Sequence, residues 1–342
     1  MSYRVQSSEK LRKSGSEFET KAMLYLLNFR QDSSDIHYFV VDFFNDITGM
    51  DRMGTKLWDV QSKASKTGSA KTIGRELVTL YKNYISEFEF FTYIIFLGAV
   101  PDSFRVNDSE TAFQISNIQE KASKSLLSGL NDECSKKEYI SAESITDEKL
   151  KEFLKEVWFV VDDKEPKDYI KEIIKNHPKI IPQDSELISI FNEIRNKQSE
   201  KKNSLVEGLI IDHIDDVLDY GRHLTNDEIK LLVLQRIINN DPLSKGIPTP
   251  FIEIYSKYPE ESRQDMLDDC QRALCMALFN NSAAQGFWKL FDSIYNELMK
   301  YPKKNIDYIF HKLDEDVKRG CPNFDILSLK FFIAKIKEGI LR

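Results

Sequence analysis

The chain has 342 residues, of which 41% are hydrophobic and 30% are charged, and its formal net charge at pH 7 is −7. This length predicts two domains, and the composition is typical of a soluble globular protein. The longest strongly apolar run, Phe90–Val100, is shorter than the roughly 20 residues of a membrane-spanning helix. The amino terminus lacks the apolar core of a secretory signal. We therefore expect a cytoplasmic protein that does not associate with a membrane.

The first 100 residues predict the order helix, three strands, helix, strand. Phe18, Ala22, Tyr25 and Phe29 recur at helical spacing and predict a helix over residues 17–29. The next elements are a strand over 37–44, a turn at 45–49 into a second short strand, a third strand over 56–64, a helix from about 72 to 86, and a buried strand over 90–97.

Helices dominate the remainder of the predicted structure. We expect helices near 115–130 and over 147–156, followed by a strand over 157–161 and then by helices at 229–238, 266–279, 286–300, 306–318 and 324–340. The polar residues 196–203 are either a linker or an exposed helix turn. We place the boundary after residue 175, which gives an α/β domain over 1–175 and an all-α domain over 176–342.

The sequence lacks the motifs of a cysteine zinc site, of a histidine-activated nucleophile and of an ATP-binding loop. The four cysteines are widely separated, and Cys270 and Cys275 lack the C-x-x-C spacing of a zinc site, so we expect reduced and partly buried thiols. No histidine has a nucleophile and a carboxylate around it. The sequence contains no G-x-x-x-x-G-K-[ST] loop, so we do not expect it to hydrolyse ATP.

Gln61 and Lys63 lie two residues apart on the third predicted strand, so their side chains point to the same face. An oxygen ligand and an ammonium in this arrangement suit metal-assisted phosphodiester cleavage, in which one holds a hard cation and the other lies beside the attacked phosphate. Because one side chain holds magnesium poorly, further ligands must converge from separate elements. The chain offers Glu19 on the first helix and Asp46 at the second strand.

Basic residues are concentrated around this strand. The window Arg52–Lys82 contains seven basic and two acidic residues, a net charge of +5, which leaves −12 on the rest of the chain. A local basic surface in an acidic protein is compatible with a DNA-facing site, although a solvated charged face is the simpler interpretation. The candidate DNA-binding residues in this window are Lys56, Lys66, Lys71 and Arg75.

Taken in order, these motifs resemble the PD-(D/E)XK nuclease superfamily over roughly residues 12–165. The resemblance is greatest to the branch with glutamine in place of the middle carboxylate, which includes the nuclease domain of CBASS endonucleases and the nuclease subunit of Lamassu anti-phage systems. The matching segments are Ser14-Gly15-Ser16-Glu17-Phe18-Glu19, Asn45-Asp46-Ile47 and Asp59-Val60-Gln61-Ser62-Lys63-Ala64. The resemblance implies a restriction-endonuclease-like domain with a mixed central sheet flanked by helices.

The resemblance also implies roles for the site residues. Asp46 and Gln61 would hold Mg²⁺ or Mn²⁺, with Glu19 as a further or water-mediated ligand. Lys63 would activate the attacking water or stabilise charge that develops on the phosphate. The second acidic position stays open, because Asp42 and Asp51 lie close to Asp46 in sequence and Asp59 shares a strand face with Gln61.

A nuclease joined to a helical domain resembles the Lamassu arrangement. This implies a metal-dependent double-stranded DNA endonuclease, the effector of a defence complex with an SMC-like ATPase and a small bridging subunit, activated by release and self-association. A non-catalytic adaptor on a nuclease fold and a stand-alone restriction-type enzyme are the alternatives. Aromatic residues of the helical half either line a partner interface or form its core, namely Phe287, Trp288, Phe291, Phe331 and Phe332.

Overall fold

The computed structural model describes residues 3–5, 13–65, 68–174, 183–203, 206–238, 243–244, 246–279 and 284–340. The chain divides into two compact units. The first comprises Met1–Glu165 and Glu193–Asn226, and the second comprises Pro166–Asn192 and Asp227–Arg342. Within the described ranges, no helix combines the length and the apolar character that crossing a membrane requires.

The secondary-structure elements follow in chain order. Up to residue 165 they are β1 (Tyr3–Arg4), α1 (Lys13–Asn28), β2 (Ile36–Val41), β3 (Ile47–Asp51), β4 (Leu57–Lys63), α2 (Ala70–Glu76), α3 (Val78–Tyr84), β5 (Thr92–Leu97), β6 (Ala112–Phe113), α4 (Glu120–Cys134), α5 (Asp147–Glu156) and β7 (Val157–Val161). Beyond it they are α6 (Pro166–Ile173), α7 (Asp184–Glu200), β8 (Ile210–Ile211), β9 (His223–Thr225), α8 (Asn226–Ile238), α9 (Ile252–Tyr255), α10 (Arg263–Phe279), α11 (Ala284–Lys300), α12 (Ile306–Lys312), α13 (Glu315–Arg319) and α14 (Ile326–Ile340).

Seven strands of the first unit form one mixed sheet in the order β6-β7-β5-β4-β3-β2-β9. β2, β3 and β4 pair antiparallel in succession, whereas β4, β5 and β7 pair parallel. Helices connect the parallel strands, because a parallel pair needs a long crossover. The predicted order of helix, three strands, helix and strand is confirmed, as is a mixed sheet flanked by helices.

Helices cover both faces of β4. The polar side chains on the face toward α2 and α3 each have a hydrogen-bond or ion-pair partner on those helices. On one face, the rings of Phe18 and Tyr25 from α1 pack against Phe96 of β5, with centroids 5.0 and 5.6 Å apart. Phe96 lies beside Ser62 in the parallel register of β4 and β5. The opposite face of β4 meets α2 and α3, which follow it in the chain.

Two glycines allow α2 and α4 to cross with their backbones in contact. A Cβ atom at Gly74 would lie 2.0 Å from the carbonyl oxygen of Leu126, and one at Gly129 would lie 2.0 Å from that of Lys71. No side chain fits in such a crossing, so glycine is required on both helices. The crossing fixes the position of α2, which follows β4 and lies beside its carboxyl end.

The second unit is built from helices around α14. Phe331, Phe332, Ile333 and Ala334 of this helix are all buried, and Phe332 stacks against other aromatic rings of the unit. The aromatic residues that the sequence left open between interface and core are therefore core residues: Phe287, Trp288, Phe291, Phe331 and Phe332 are each at most 5% exposed.

The two units interleave along the chain, which differs from the single predicted boundary after residue 175. Residues 193–226 return to the first unit, because β9 pairs with β2 at the sheet edge and α7 packs beside α1. The segment 196–203 is not a linker: it is the end of α7 and a following 3-10 turn, and its Gln198 is only 1% exposed.

Short elements account for most other differences from the predicted secondary structure. The strands β1, β6, β8 and β9 have two or three residues each, too few to show a periodic pattern. The helix expected over 72–86 is two helices, α2 and α3, and the one expected over 306–318 is also two, α12 and α13. The helix over Asp147–Glu156 has the predicted bounds, and the Thr146 hydroxyl accepts a bond from the Lys149 amide as its cap.

We expect Gly129→Ala to lower the free energy of unfolding by about 3 kcal/mol, because the new methyl group must push α2 and α4 apart. The intrinsic helix propensity of alanine acts in the opposite direction by only about 1 kcal/mol. Urea denaturation measures the change, and Ser128→Ala, at the exposed neighbouring position of α4, is the matched control. A Gly129→Ala variant as stable as the wild type would contradict the close crossing.

Candidate active site

One face of β4 carries three polar side chains toward the following helices. Side chains two residues apart on a strand share a face, and side chains three or four residues apart on a helix share a face. A row of strand side chains can therefore lie opposite a row of helix side chains. Each side chain of the strand contacts one from the helices: Lys63 Nζ lies 3.2 Å from Glu76 Oε2, Thr79 Oγ1 donates to Gln61 Oε1 at 2.7 Å, and Asn83 Nδ2 donates to Asp59 Oδ2 at 2.6 Å.

Asp46 closes the loop between β2 and β3 and is tied to the end of β4. Its carbonyl oxygen accepts a hydrogen bond from the Asp42 amide at 2.9 Å, which closes the loop. Three donors converge on its carboxylate oxygen Oδ2: Gln61 Nε2 at 3.0 Å, the Ser62 amide at 2.7 Å and Ser62 Oγ at 2.8 Å. These bonds fix the direction of the carboxylate against the strand.

Asp46 lies within electrostatic range of Glu19 and Lys63. Burial raises the pKa of Asp46 to about 7, and the negative charge of Glu19 adds to this shift. The ammonium of Lys63 and the bonds from Ser62 act in the opposite direction. Gln61 bonds to Asp46, and Glu19 and Lys63 belong to its electrostatic surroundings; that the four residues form one catalytic site stays a prediction.

Glu19 reaches this site from α1 and is paired with a lysine that the sequence did not indicate. Its Oε2 lies 2.6 Å from the ammonium of Lys202, and the two side chains are 13% and 10% exposed. Neighbouring hydrogen bonds join α1 to α7: Gln198 Oε1 accepts from Thr20 Oγ1 at 2.7 Å, and the hydroxyls of Ser16 and Ser199 are 2.9 Å apart.

The amide of Gln61 can present either of its ends to Asp46. In the structure its nitrogen donates to Asp46 and its oxygen accepts from the Thr79 hydroxyl. A hydroxyl both donates and accepts, so a half-turn of the amide keeps the bond to Thr79 and directs the oxygen toward Asp46. The position is therefore suited to an amide that serves as a metal ligand.

The donor set fits a hard divalent cation. Two neighbouring carboxylates and an amide oxygen are the ligands that Mg²⁺ accepts, and the mutual repulsion of Glu19 and Asp46 would be relieved by a cation. Among the described residues, no group of three or more His, Cys, Asp or Glu side chains is arranged to hold a metal ion. The oxygen of Gln61 is consequently needed to complete three protein ligands.

The other acidic candidates lie elsewhere. Asp51 is at the far end of β3, where its Oδ1 accepts bonds from the Thr55 and Lys56 amides and closes the turn before β4. Asp42 has a positive φ of 50° and its carboxylate pairs with Arg222 at 3.3 Å. Asp46 is thus the acidic residue that the structure brings to Gln61.

The predicted DNA-binding residues are divided between the two ends of β4. Lys56 precedes the strand, about 23 Å from Lys63 at 3.3 Å per residue, and its ammonium lies 3.2 Å from Asp35. Lys71 and Arg75 share one face of α2, one turn apart, and Lys71 pairs with Asp132 at 2.7 Å. Lys71 and Arg75 therefore lie on the same helix as Glu76, whereas Lys56 lies at the opposite end of β4 from Lys63. Lys66 lies outside the described residues.

Asp59 is deeply buried and positions the loop that carries Asp46. Its Oδ2 accepts bonds from Asn83 at 2.6 Å and from Asn45, the residue before Asp46, at 3.0 Å. Burial raises the pKa of Asp59 to about 7, against the opposing effects of these two bonds and of the Lys82 ammonium. The sequence interpretation that Asp59 assists at the site is thus replaced by an indirect role, through Asn45.

Four residues of the site escaped the sequence analysis. Ser62 lies between the two residues that were identified, but it acts through its amide as well as its hydroxyl. Thr79 and Glu76 could have been found from their helical spacing opposite the strand. Lys202 had no local signal, because its contact with Glu19 joins residues 183 positions apart.

We expect Asp59→Asn to flatten the pH dependence of stability. The pKa of Asp59 is raised in the folded state, so folded protein retains the proton longer and the free energy of unfolding falls as pH rises from about 4 to 7. Asparagine has no proton to lose, and its oxygen can accept the same two bonds. Between pH 4 and 7 the wild type should lose on the order of 3 kcal/mol more than the variant.

Urea denaturation at several pH values measures this difference. Asp108→Asn, at an exposed position, is the control and should follow the wild-type curve. Parallel curves for Asp59→Asn and the wild type would show that Asp59 is ionised at its ordinary pKa in the folded protein.

Comparison with known proteins identifies no family for the chain. No protein-family model, no curated protein and no solved structure matches the chain. What the site does must therefore be argued from its residues, their distances and their charges.

Proposed function

We propose that the protein is a metal-dependent nuclease that hydrolyses the phosphodiester bonds of double-stranded DNA. The observation that carries the proposal is the convergence of Glu19, Asp46, Gln61 and Lys63 at the carboxyl end of β4. Two carboxylates, an amide oxygen and an ammonium combine the groups that hold a hard cation with a group that binds a phosphate oxygen.

Bound by Asp46, Gln61 and Glu19, a magnesium or manganese ion would supply Lewis acidity toward the phosphate and a lower pKa for bound water. The protein supplies the fixed geometry. Asp46 cannot rotate freely, because three bonds hold its Oδ2 against β4. A fixed ligand needs no reorganisation during the reaction, which is the source of most electrostatic catalysis in proteins.

Lys63 would act on the phosphate. Its ammonium is close enough to Asp46 to lower the pKa of that carboxyl, and it is held by Glu76 of α2 at 3.2 Å. A cation in this position stabilises negative charge that builds on the phosphate oxygens during attack, or orients the attacking water. Glu76 keeps the ammonium directed at the site and provides a negative charge for it before substrate arrives.

Basic residues next to this pair offer contacts for the DNA backbone. Lys71 and Arg75 lie one turn apart on α2, and Arg75 is exposed. The ion pair of Lys71 with Asp132 joins two side chains that are 44% and 42% exposed, and such pairs contribute little stability. A DNA phosphate can replace Asp132 at small cost, which releases condensed counterions from the duplex.

We also propose that cutting is controlled by partners, as expected of an anti-phage effector joined to a helical unit. Glutamine in place of a carboxylate at position 61 leaves the ligand set with one negative charge fewer. A less negative site holds a divalent cation more weakly when no DNA is present. Such an enzyme is suited to remaining idle until an SMC-like sensor and DNA ends are present.

Plasmid cleavage with Mg²⁺ tests the proposal. We expect Asp46→Ala and Lys63→Ala each to lower the rate by about 100-fold or more, because each removes a group that acts on the reacting phosphate. The assay is run with the protein alone and with the products of neighbouring genes plus linear DNA. Asp108→Ala and Lys124→Ala remove one charge of the same sign from exposed positions and should cut at the wild-type rate. DNA binding without cleavage under every condition would favour an adaptor instead.

We expect Gln61→Glu to strengthen Mg²⁺ binding by about tenfold, because a third carboxylate adds a full negative charge to the ligand set. The same change removes the donor that lies 3.0 Å from Asp46 Oδ2, so the variant should be less stable without metal. Isothermal titration measures the affinity, with Gln31→Glu at an exposed position as control. Unchanged affinity would show that Gln61 is not a ligand.

A further inference from the structure

Lys202 places a second ammonium in the candidate site, from an element far from β4 in sequence. Its Nζ lies 2.6 Å from Glu19 Oε2, and both side chains are almost fully buried, at 10% and 13% exposure. A lysine is seldom buried unless it is paired, so this contact accounts for the position of its charged group. The pair joins the 3-10 turn after α7 to α1, the helix that carries Glu19.

The backbone that carries Lys202 is held in register with α1. Gln198 is 1% exposed and its Oε1 accepts the hydroxyl proton of Thr20 at 2.7 Å, while Ser199 contacts Ser16 at 2.9 Å. Thr20 Oγ1 also lies 2.8 Å from the Ser16 carbonyl oxygen, so its single proton is shared between the two acceptors. These bonds hold the end of α7 against α1, directly before the 3-10 turn that carries Lys202.

The ammonium that lies 2.6 Å from Glu19 Oε2 takes one lone pair of that oxygen and neutralises the charge that a divalent cation would be attracted to. The ammonium directs its protons at the lone pairs that a metal ion would take, and its charge repels the ion. The site therefore contains its own competitor for one of the three proposed ligands.

We propose that Lys202 competes with the divalent cation for Glu19 and sets the metal affinity of the site. The inference rests on the proposed function, because it concerns the metal of that site. Binding of the ion weakens the Lys202–Glu19 pair, because two cations then share the negative charge of one carboxylate. A catalytic role for Lys202 is not required, since the lysine acts on affinity through Glu19.

The test is Mn²⁺ binding by the full chain without DNA, followed by the electron paramagnetic resonance signal of free Mn²⁺. Lys202→Met keeps most of the side-chain volume and removes the charge, and it should bind Mn²⁺ about tenfold more tightly than the wild type. Lys202→Arg keeps the charge and should bind as the wild type does. Lys197→Met removes an exposed lysine from α7, five residues before Lys202, and should also leave the affinity unchanged.

Each other result overturns the inference. If the wild type binds Mn²⁺ and Lys202→Met binds it equally or more weakly, Lys202 is no competitor, although the metal site stands. If Lys197→Met or Lys202→Arg also tightens binding, the effect is not specific to the Lys202–Glu19 pair. If none of the four proteins binds Mn²⁺, the metal site fails and the proposed function fails with it.

A second variant guards against loss of structure. Lys202→Met leaves Glu19 without its partner in a nearly buried position, which costs stability. Lys202→Gln retains a hydrogen-bond donor for Glu19 while removing the charge, and it should show the same tighter binding. Thermal unfolding of both variants before the titration confirms that they are folded.

Discussion

The carboxylate of Asp46 and the end of β4 hold each other in place, and the rest of the site follows from that attachment. Three donors from two adjacent residues of the strand converge on Oδ2. Asn45, the preceding residue, is tied to the same strand through Asp59. Asn45 and Asp46 each hydrogen-bond to β4, so the loop that carries them is held against the sheet at two consecutive residues. The position of Asp46 is consequently set by the pairing of β3 with β4.

Two pairs of opposite charge and one carboxyl with a raised pKa make up the charged groups of the site. Glu19 is paired with Lys202, and Lys63 is paired with Glu76, while the pKa of Asp46 is raised to about 7. Such a cluster is nearly neutral in the resting protein. Buried charges are costly unless they are paired, so these pairs allow the chain to fold around groups that would otherwise repel one another. A cation that binds Glu19 would compete with Lys202, and a phosphate that binds Lys63 would compete with Glu76.

Local patterns predicted the fold well wherever an element was long enough to show one. The helix at Phe18, the three strands up to Lys63 and the helix over Asp147–Glu156 were found from periodicity and capping. The candidate site was found for a related reason, because alternation along one strand places Gln61 and Lys63 together. Strand β9, with three residues, has no pattern of its own and exists through pairing with β2.

Contacts between distant segments could not be read from the sequence. The polar run that ends with Lys202 has the composition of a linker, yet its side chains bond to Ser16, Glu19 and Thr20 more than 170 positions earlier. The glycines of the α2–α4 crossing likewise have meaning only as a pair. The aromatic residues of α11 and α14 were ambiguous for the same reason, since burial depends on what a helix packs against.

The contacts between α1 and α7 share a single register. Gln198, Ser199 and Lys202 meet their partners together, and a slip of α7 by one residue, about 1.5 Å along its axis and 100° around it, would misalign all three. These three contacts therefore depend on one another. A substitution that shifts the end of α7 against α1 would therefore weaken the Lys202–Glu19 ion pair even if it lies at neither residue.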